Sequence, residues 1–197
     1  MPGYWLLGEV GDFGKTSQVI SRILFILGEN PDLRIKIACN KDEFATKRVN
    51  AVREYMERSV EYKQVFPKVF PDQKDKWGER RINVRRTIYG SADYSLEGGG
   101  IFSSAVSGRA DVIIADDITD YKNSVLNVAM RKHVISSFEG NWLSRLEPDG
   151  FVIYIATPWH LSDCSFYLQQ INRKFSWLIM RVADDLSCLE ITKKWWE

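Results

Sequence analysis

Two periodicities alternate along the chain. Short unbroken apolar runs, such as “DVIIAD” (111–116) and “FVIYIAT” (151–157), are separated by longer stretches in which apolar residues recur every three or four positions. An unbroken run of strand length implies burial on both faces, whereas the longer spacing marks one face of a helix. The pattern predicts strands over 4–7, 34–39, 82–88, 112–115, 151–156 and 177–182. Helices are predicted over 15–27, 42–58, 123–137 and 161–172. Clusters of Gly and Pro at 28–31, 66–78, 98–100 and 148–150 read as the loops between them. Alternation of buried strands with helices predicts an α/β fold with a mainly parallel central sheet and helices on both faces.

Composition narrows the class. The 197 residues, 45% of them hydrophobic, suit one large domain with a packed core. Its body is expected over 1–183, with 184–197 the start of a linker. Lys and Arg number 27 against 26 Asp and Glu, a net charge of +1, so any DNA contact must come from a local patch or from assembly. Cys39, Cys164 and Cys188 lie far apart and outside metal-ligand spacing, which favours free thiols in a reducing compartment. No signal peptide is visible, and no apolar run reaches the roughly 20 residues of a membrane span. The expectation is a soluble protein with no membrane partner.

In an open parallel sheet, ligands bind at the carboxyl ends of the strands, and three runs deliver capable residues there. The first, “YWLLGEVGDFGKTS” (4–17), is a strand, a loop holding Gly8, Gly11 and Gly14, and Lys15-Thr16-Ser17 opening a helix. Backbone N–H groups of such a loop cradle phosphates, and the helix start adds about half a positive charge. The lysine reaches the outer phosphates and the hydroxyl binds Mg²⁺. Nucleotide contacts are therefore assigned to Gly11, Asp12, Phe13, Gly14, Lys15, Thr16 and Ser17. The spacing departs from G-x-x-x-x-G-K-[ST], since Glu9 occupies the first glycine position and Gly8 falls one residue early. A carboxylate about 5 Å from a phosphate oxygen repels it by roughly 3 kcal/mol at an effective dielectric near 20. Glu9 and Asp12 must then point away from bound phosphate. A glycine-rich turn before a buried helix would present the same residues.

The second run, “ADVIIADDITD”, ends in Asp116 and Asp117. One carboxylate there can hold Mg²⁺ and the other can orient or deprotonate the attacking water, so Asp116 takes the metal role and Asp117 the catalytic one. Paired acids capping a buried strand are the plainer alternative. The third run, “FVIYIATPWHLSD”, ends in Thr157, whose hydroxyl can sense the outer phosphate and pass its loss to the loop 158–163. A strand-end threonine with a satisfied hydroxyl would look the same. His160 reads better as a loop or helix-capping histidine than as a catalyst.

Four stretches together, “FGKTS” (13–17), “KDEFATKRVNAVREYMERSVEYKQVFP” (41–67), “SGRADVIIADDITD” (107–120) and “IATPWHLSD” (155–163), resemble the ATPase domain of the large terminase subunit of tailed phages. The resemblance runs along almost the whole chain. It implies a P-loop NTPase fold with Lys15 and Thr16 in the Walker A loop, Asp116 and Asp117 in Walker B, and Thr157 in the coupling motif. It further implies ATP and Mg²⁺, double-stranded DNA as the load, portal protein and small terminase subunit as partners, a ring of copies, and the host cytoplasm as location. Such motors place an arginine against the γ-phosphate, worth about 10³ to 10⁵ in rate. Arg109, just ahead of the acidic strand, is assigned that role.

Differences from the family accompany the likeness. Many members carry an arginine where this chain has Gly11 beside Asp12, and an adenine-holding segment precedes their loop strand, leaving Tyr4 or Trp5 as substitutes here. Large terminases continue into a nuclease domain, and no nuclease activity is expected from these residues. The basic cluster “ERRINVRR” (79–86), with Arg80, Arg81, Arg85 and Arg86, suits either a DNA-facing patch or a solvated strand face. Two other functions fit the same sequence: a terminase remnant kept as a binding or assembly module, and a helicase-like P-loop motor.

Overall fold

A computed structural model describes residues 4–8, 14–72, 77–88, 90–104, 106–171 and 175–179. Its elements are β1 (Tyr4–Gly8), α1 (Lys15–Glu29), β2 (Ile35–Cys39), α2 (Asp42–Arg58), α3 (Val60–Val65), β3 (Arg81–Ile82) and β4 (Leu96–Gly100). They continue with β5 (Ala110–Asp116), α4 (Val128–Ser137), β6 (Leu146–Ala156), α5 (Cys164–Ile171) and β7 (Phe175–Ile179). The strands form one sheet in the order β3-β4-β2-β5-β6-β1-β7, parallel throughout except for β3 against β4.

Alternate residues of the central strands feed two cores. Ile35, Ile37, Val112 and Ile114 pack against α1 and α2 through Val19, Ile23, Leu27, Val49 and Val52. Ala38, Ile113, Ala115, Val152 and Tyr154 face α4 and α5 through Val134, Phe138 and Leu168. Burial on both faces is why these strands read as unbroken apolar runs. The result is the expected α/β arrangement, and parallel pairing brings Gly8, Cys39, Gly100, Asp116 and Ala156 to one edge of the sheet.

The glycine run 98–100 is not a loop: it lies in β4, fully buried beside β2. Glycine serves close approach here rather than turning. A Cβ on Gly98 would stand 2.8 Å from Val49 Cγ2, one on Gly99 2.5 Å from Val106 Cγ2, and one on Gly100 2.8 Å from the Asp42 backbone nitrogen. The bare backbone thus lets α2 lie directly on β4.

The strand predicted over 82–88 shrinks to the two-residue edge β3 and a single bridge from Val84 to Pro71. Beyond Ile82 side chains replace the ladder. Ser95 N donates to Asn83 Oδ1 at 2.9 Å and Val84 N to Ser95 Oγ at 3.1 Å. The helix predicted over 123–137 is broken at Asn127, which is extended and whose side chain accepts from Met130 N at 3.0 Å as the N-cap of α4. The helix predicted over 161–172 begins only at Cys164. Residues 180–182 of the last predicted strand and the boundary at 183 lie outside the described residues.

Candidate active site

Gly14, with φ 73°, turns the chain through the left-handed region, and α1 starts at the next residue. Lys15 is consequently drawn under the sheet edge, only 7% exposed. Its ammonium donates to Thr157 Oγ1 at 2.7 Å, just past the end of β6, and to Asp117 Oδ1 at 3.4 Å, just past the end of β5. Lys15 thus meets two residues more than a hundred positions away at one edge. Asp117 adopts φ 48°, a conformation that aspartate tolerates better than most residues, and its N–H donates to Ile155 O at 2.9 Å.

Asp116 is the deeper acid, 1% exposed. Its Oδ2 accepts from Arg48 Nε of α2 at 2.8 Å, while Oδ1 is buried with no hydrogen-bond partner among the described residues. Burial pushes the Asp116 carboxyl above its usual range, the Arg48 bond and charge oppose that shift, the charge of Asp117 adds to it and that of Lys15 opposes it. Burial likewise raises the Cys39 thiol, with the Asp116 charge adding to it. A buried carboxylate oxygen without a partner, on the strand end facing the start of α1, is a fitting donor for a hard cation. Among the described residues no group of three His, Cys, Asp or Glu side chains could hold a metal. A cation here would take its other ligands from a hydroxyl such as that of Thr16, from substrate and from water.

A cleft of about 550 Å³ opens beside these groups, lined by Asn40, Lys41, Phe44, Lys47, Arg48, Asp116, Asp117, Thr119, Asp120, Thr157 and Trp159. One wall is cross-linked: Asn40 Nδ2 donates to Asp120 Oδ2 at 2.5 Å and Asn123 Nδ2 to Asn40 Oδ1 at 3.1 Å. The loop 158–163 is tied down by Asp163, fully buried. Its Oδ2 accepts from the N–H groups of Trp159 at 2.9 Å and His160 at 3.2 Å, and its Oδ1 from those of Ser165 at 2.9 Å and Phe166 at 3.2 Å. His160 Nδ1 accepts from Ser162 N at 2.9 Å, so this histidine organises the loop.

Of the residues assigned from sequence, Gly14, Lys15, Thr16, Asp116, Asp117 and Thr157 fall at this edge, with Ser17 exposed in the first turn of α1. Gly11, Asp12 and Phe13, and with them Glu9, lie outside the described residues. Tyr4 and Trp5 sit in the first half of β1, opposite Val152 and Ile153, away from the edge. Arg109 does not join the site of its own chain. It precedes β5, whose length separates it from Asp116 by about 23 Å at about 3.3 Å per residue. Its Nη1 donates to Ser144 O at 3.4 Å.

The basic cluster is mostly consumed internally. Arg81 pairs with Glu97 at 2.8 Å, Arg80 pairs with Asp42, and Arg86 Nη1 donates to Asp93 O at 2.7 Å, leaving Arg85 exposed. Glu97 also holds the buried Lys36 at 2.6 Å. Neither a DNA-facing patch nor a simple solvated face describes it. Two residues escaped sequence reasoning. Arg48 carried a faint signal, a cation set among the buried Ala45, Val49 and Val52 of α2. Asp163 carried a stronger one, an aspartate before a helix start, obscured by placing that start at residue 161.

A glycine turn, a lysine opening a helix, and acids and a threonine at neighbouring parallel strand ends define a P-loop NTPase fold. Comparison with solved structures gives that class a particular form. The chain is similar to a variant of the large terminase ATPase domain of Thermus phage P74-26, with 18% identity, a TM-score of 0.51, and coverage of 79% of this chain and 60% of that one. A second structure of that domain gives 17% identity and a TM-score of 0.47, over 79% and 59% of the two chains. The chain thus shares the fold of a terminase ATPase domain while spanning about 60% of its length. No family model matches the chain, and no curated protein does. Among the described residues no helix is long and apolar enough to cross a membrane.

Proposed function

We propose that the chain hydrolyses ATP as the ATPase domain of a terminase-like motor that drives double-stranded phage DNA into a capsid. The observation that supports this most is the meeting of Lys15 with Asp117 and Thr157 at 3.4 and 2.7 Å beside a half-satisfied buried Asp116. Lys15 would exchange these two contacts for the outer phosphate oxygens, and the backbone N–H groups that open α1 would face the same charge. Asp116 and Thr16 would hold Mg²⁺, which when bound supplies charge neutralisation on the phosphate oxygens. Asp117, the more exposed acid at 42% of its side chain, would orient the attacking water and accept its proton. The water oxygen bonds to the γ-phosphorus as the bond to the β-phosphate oxygen breaks, giving ADP and phosphate. Thr157, released from Lys15 by substrate, would report the outcome to loop 158–163, which Asp163 ties to α5.

The DNA load, the portal and small-terminase partners, a ring of copies and a host-cytoplasmic location follow from the same reading. In a ring, Arg109 would serve the site of the adjacent copy. The direct test is Lys15→Ala. Steady-state ATP hydrolysis should fall at least about 100-fold, the scale of removing one preorganised donor, with the circular dichroism spectrum unchanged. Undiminished turnover would overturn the assignment. If the folded wild-type chain gave no heat with millimolar Mg-ATP by calorimetry, a binding or assembly module would be the better description.

A further inference from the structure

We propose that Arg48 is the chain's own phosphate-reading arginine, parked on Asp116 and freed when a divalent cation takes that carboxylate; this rests on the nucleotide-hydrolysing function above. Three observations carry it. The first is the form of the pair. Arg48 touches Asp116 through Nε alone, at 2.8 Å, and its Nη groups have no hydrogen-bond partner among the described residues. Asp116 Oδ1 is likewise buried and unpartnered.

Arg34 shows the fuller geometry elsewhere in the molecule. Arg34 engages both oxygens of Asp111 through Nε at 2.9 Å and Nη2 at 2.8 Å, and Nη2 also reaches Glu147 at 2.9 Å. A guanidinium held by one edge leaves most of its donors, and the stronger two-bond geometry, unused. The Arg48–Asp116 contact is therefore an incomplete pair on both sides.

The second observation is position. Arg48 lines the cleft together with Asp116, Asp117, Thr157, Lys41 and Lys47. It is the arginine among these residues, while Arg109 stands at the far end of β5. The third is mobility of the right kind. α2 lies close on β4 at Gly98 and Gly100, where an added Cβ would stand 2.8 Å from Val49 Cγ2 and 2.8 Å from the Asp42 backbone nitrogen, so freeing Arg48 is assigned to its side chain rather than to the helix. The side chain, 18% exposed and mostly unbonded, can turn about its own torsions. A cation accepted by Asp116 would neutralise the carboxylate that holds Arg48 and repel its positive charge. The nearest compensating anion would then be the outer phosphate of the nucleotide in the same cleft.

The experiment is calorimetric titration of Mg-ATP and Mg-ADP into the full chain, as wild type, Arg48→Ala and Arg48→Lys. Arg48→Ala should weaken Mg-ATP at least about tenfold and Mg-ADP less than about twofold, because the lost charge-assisted contacts go to the outer phosphate. Arg48→Lys should fall between the two. Equal weakening of both nucleotides, or of neither, would overturn the proposal. Should Arg48→Ala fail to fold, the wild type still decides. The Arg48 Nε–H resonance, identified by its absence from the Arg48→Lys spectrum, should move on saturation with Mg-ATP, and an unmoved signal would refute it. A wild type that binds neither nucleotide would remove the parent reading, a failure distinct from loss of ATP preference.

Discussion

Replacing Asp163 with alanine tests how the loop after Thr157 is held. The carboxylate is fully buried and accepts four backbone N–H groups, two from the loop and two from the first turn of α5. Loss of the helix cap alone costs about 1 kcal/mol. Trp159 N–H lies beside a side chain 42% exposed and can recover water, whereas at least one of the other donors stays dry, at about 1–3 kcal/mol. The sum is about 3 kcal/mol, which for a chain of 197 residues lowers the melting temperature by about 6–12 °C. Because Oδ1 serves the helix and Oδ2 the loop, asparagine can keep only one of the two sets. Asp163→Asn should therefore cost about half as much. Thermal and urea unfolding followed by circular dichroism measure both, and faster amide exchange at Trp159 and His160 would locate the damage. An Asp163→Ala loss below about 0.5 kcal/mol would refute the idea that this carboxylate fastens the loop.

Two further outcomes concern the scaffold. Asp111 is pulled two ways: burial raises its carboxyl, while the Arg34 hydrogen bonds and charges outweigh that and hold it below its usual value. A depressed folded-state value means stability that is present above about pH 4, the unfolded range, and that is lost as pH falls through the folded value. Asp111→Asn should cost about 1–3 kcal/mol at pH 7, with the gap to wild type closing below pH 4 in urea titrations; a gap independent of pH would contradict the pairing. Gly99→Ala would set a Cβ 2.5 Å from Val106 Cγ2 and should cost about 1–3 kcal/mol by overpacking. Adding Val106→Ala should recover much of that in thermal melts, and failure to recover any would place the strain elsewhere.

Strand ends with unbroken apolar approaches were legible, because β5 and the last residues of β6 are buried, whereas residues 148–150, read as a loop from their Pro and Gly, lie inside the longer β6. The loop-to-helix junction at Lys15 was legible for a similarly local reason, glycine before a helix-opening lysine. β4 was not. Its Gly98 to Gly100 carry no side chains to pattern, and only the proximity of Val49, Val106 and Asp42 explains why they are glycine. The arginines at 80, 81 and 86 looked like a surface patch since their partners, Asp42, Glu97 and Asp93, are remote or unmarked in sequence.

The chain's own order of residues determined most of the buried strands, the starts of α1 and α2, and which acids, lysine and threonine stand at strand ends. Those are local facts, written in hydrophobic period and turn chemistry. Tertiary structure decided which of these ends share an edge, that Arg109 lies a strand length away from it, and that Arg48 rather than a loop residue meets Asp116. Contacts of that kind depend on strand order and on how closely a helix can approach a sheet, and both are settled by packing between residues far apart along the chain.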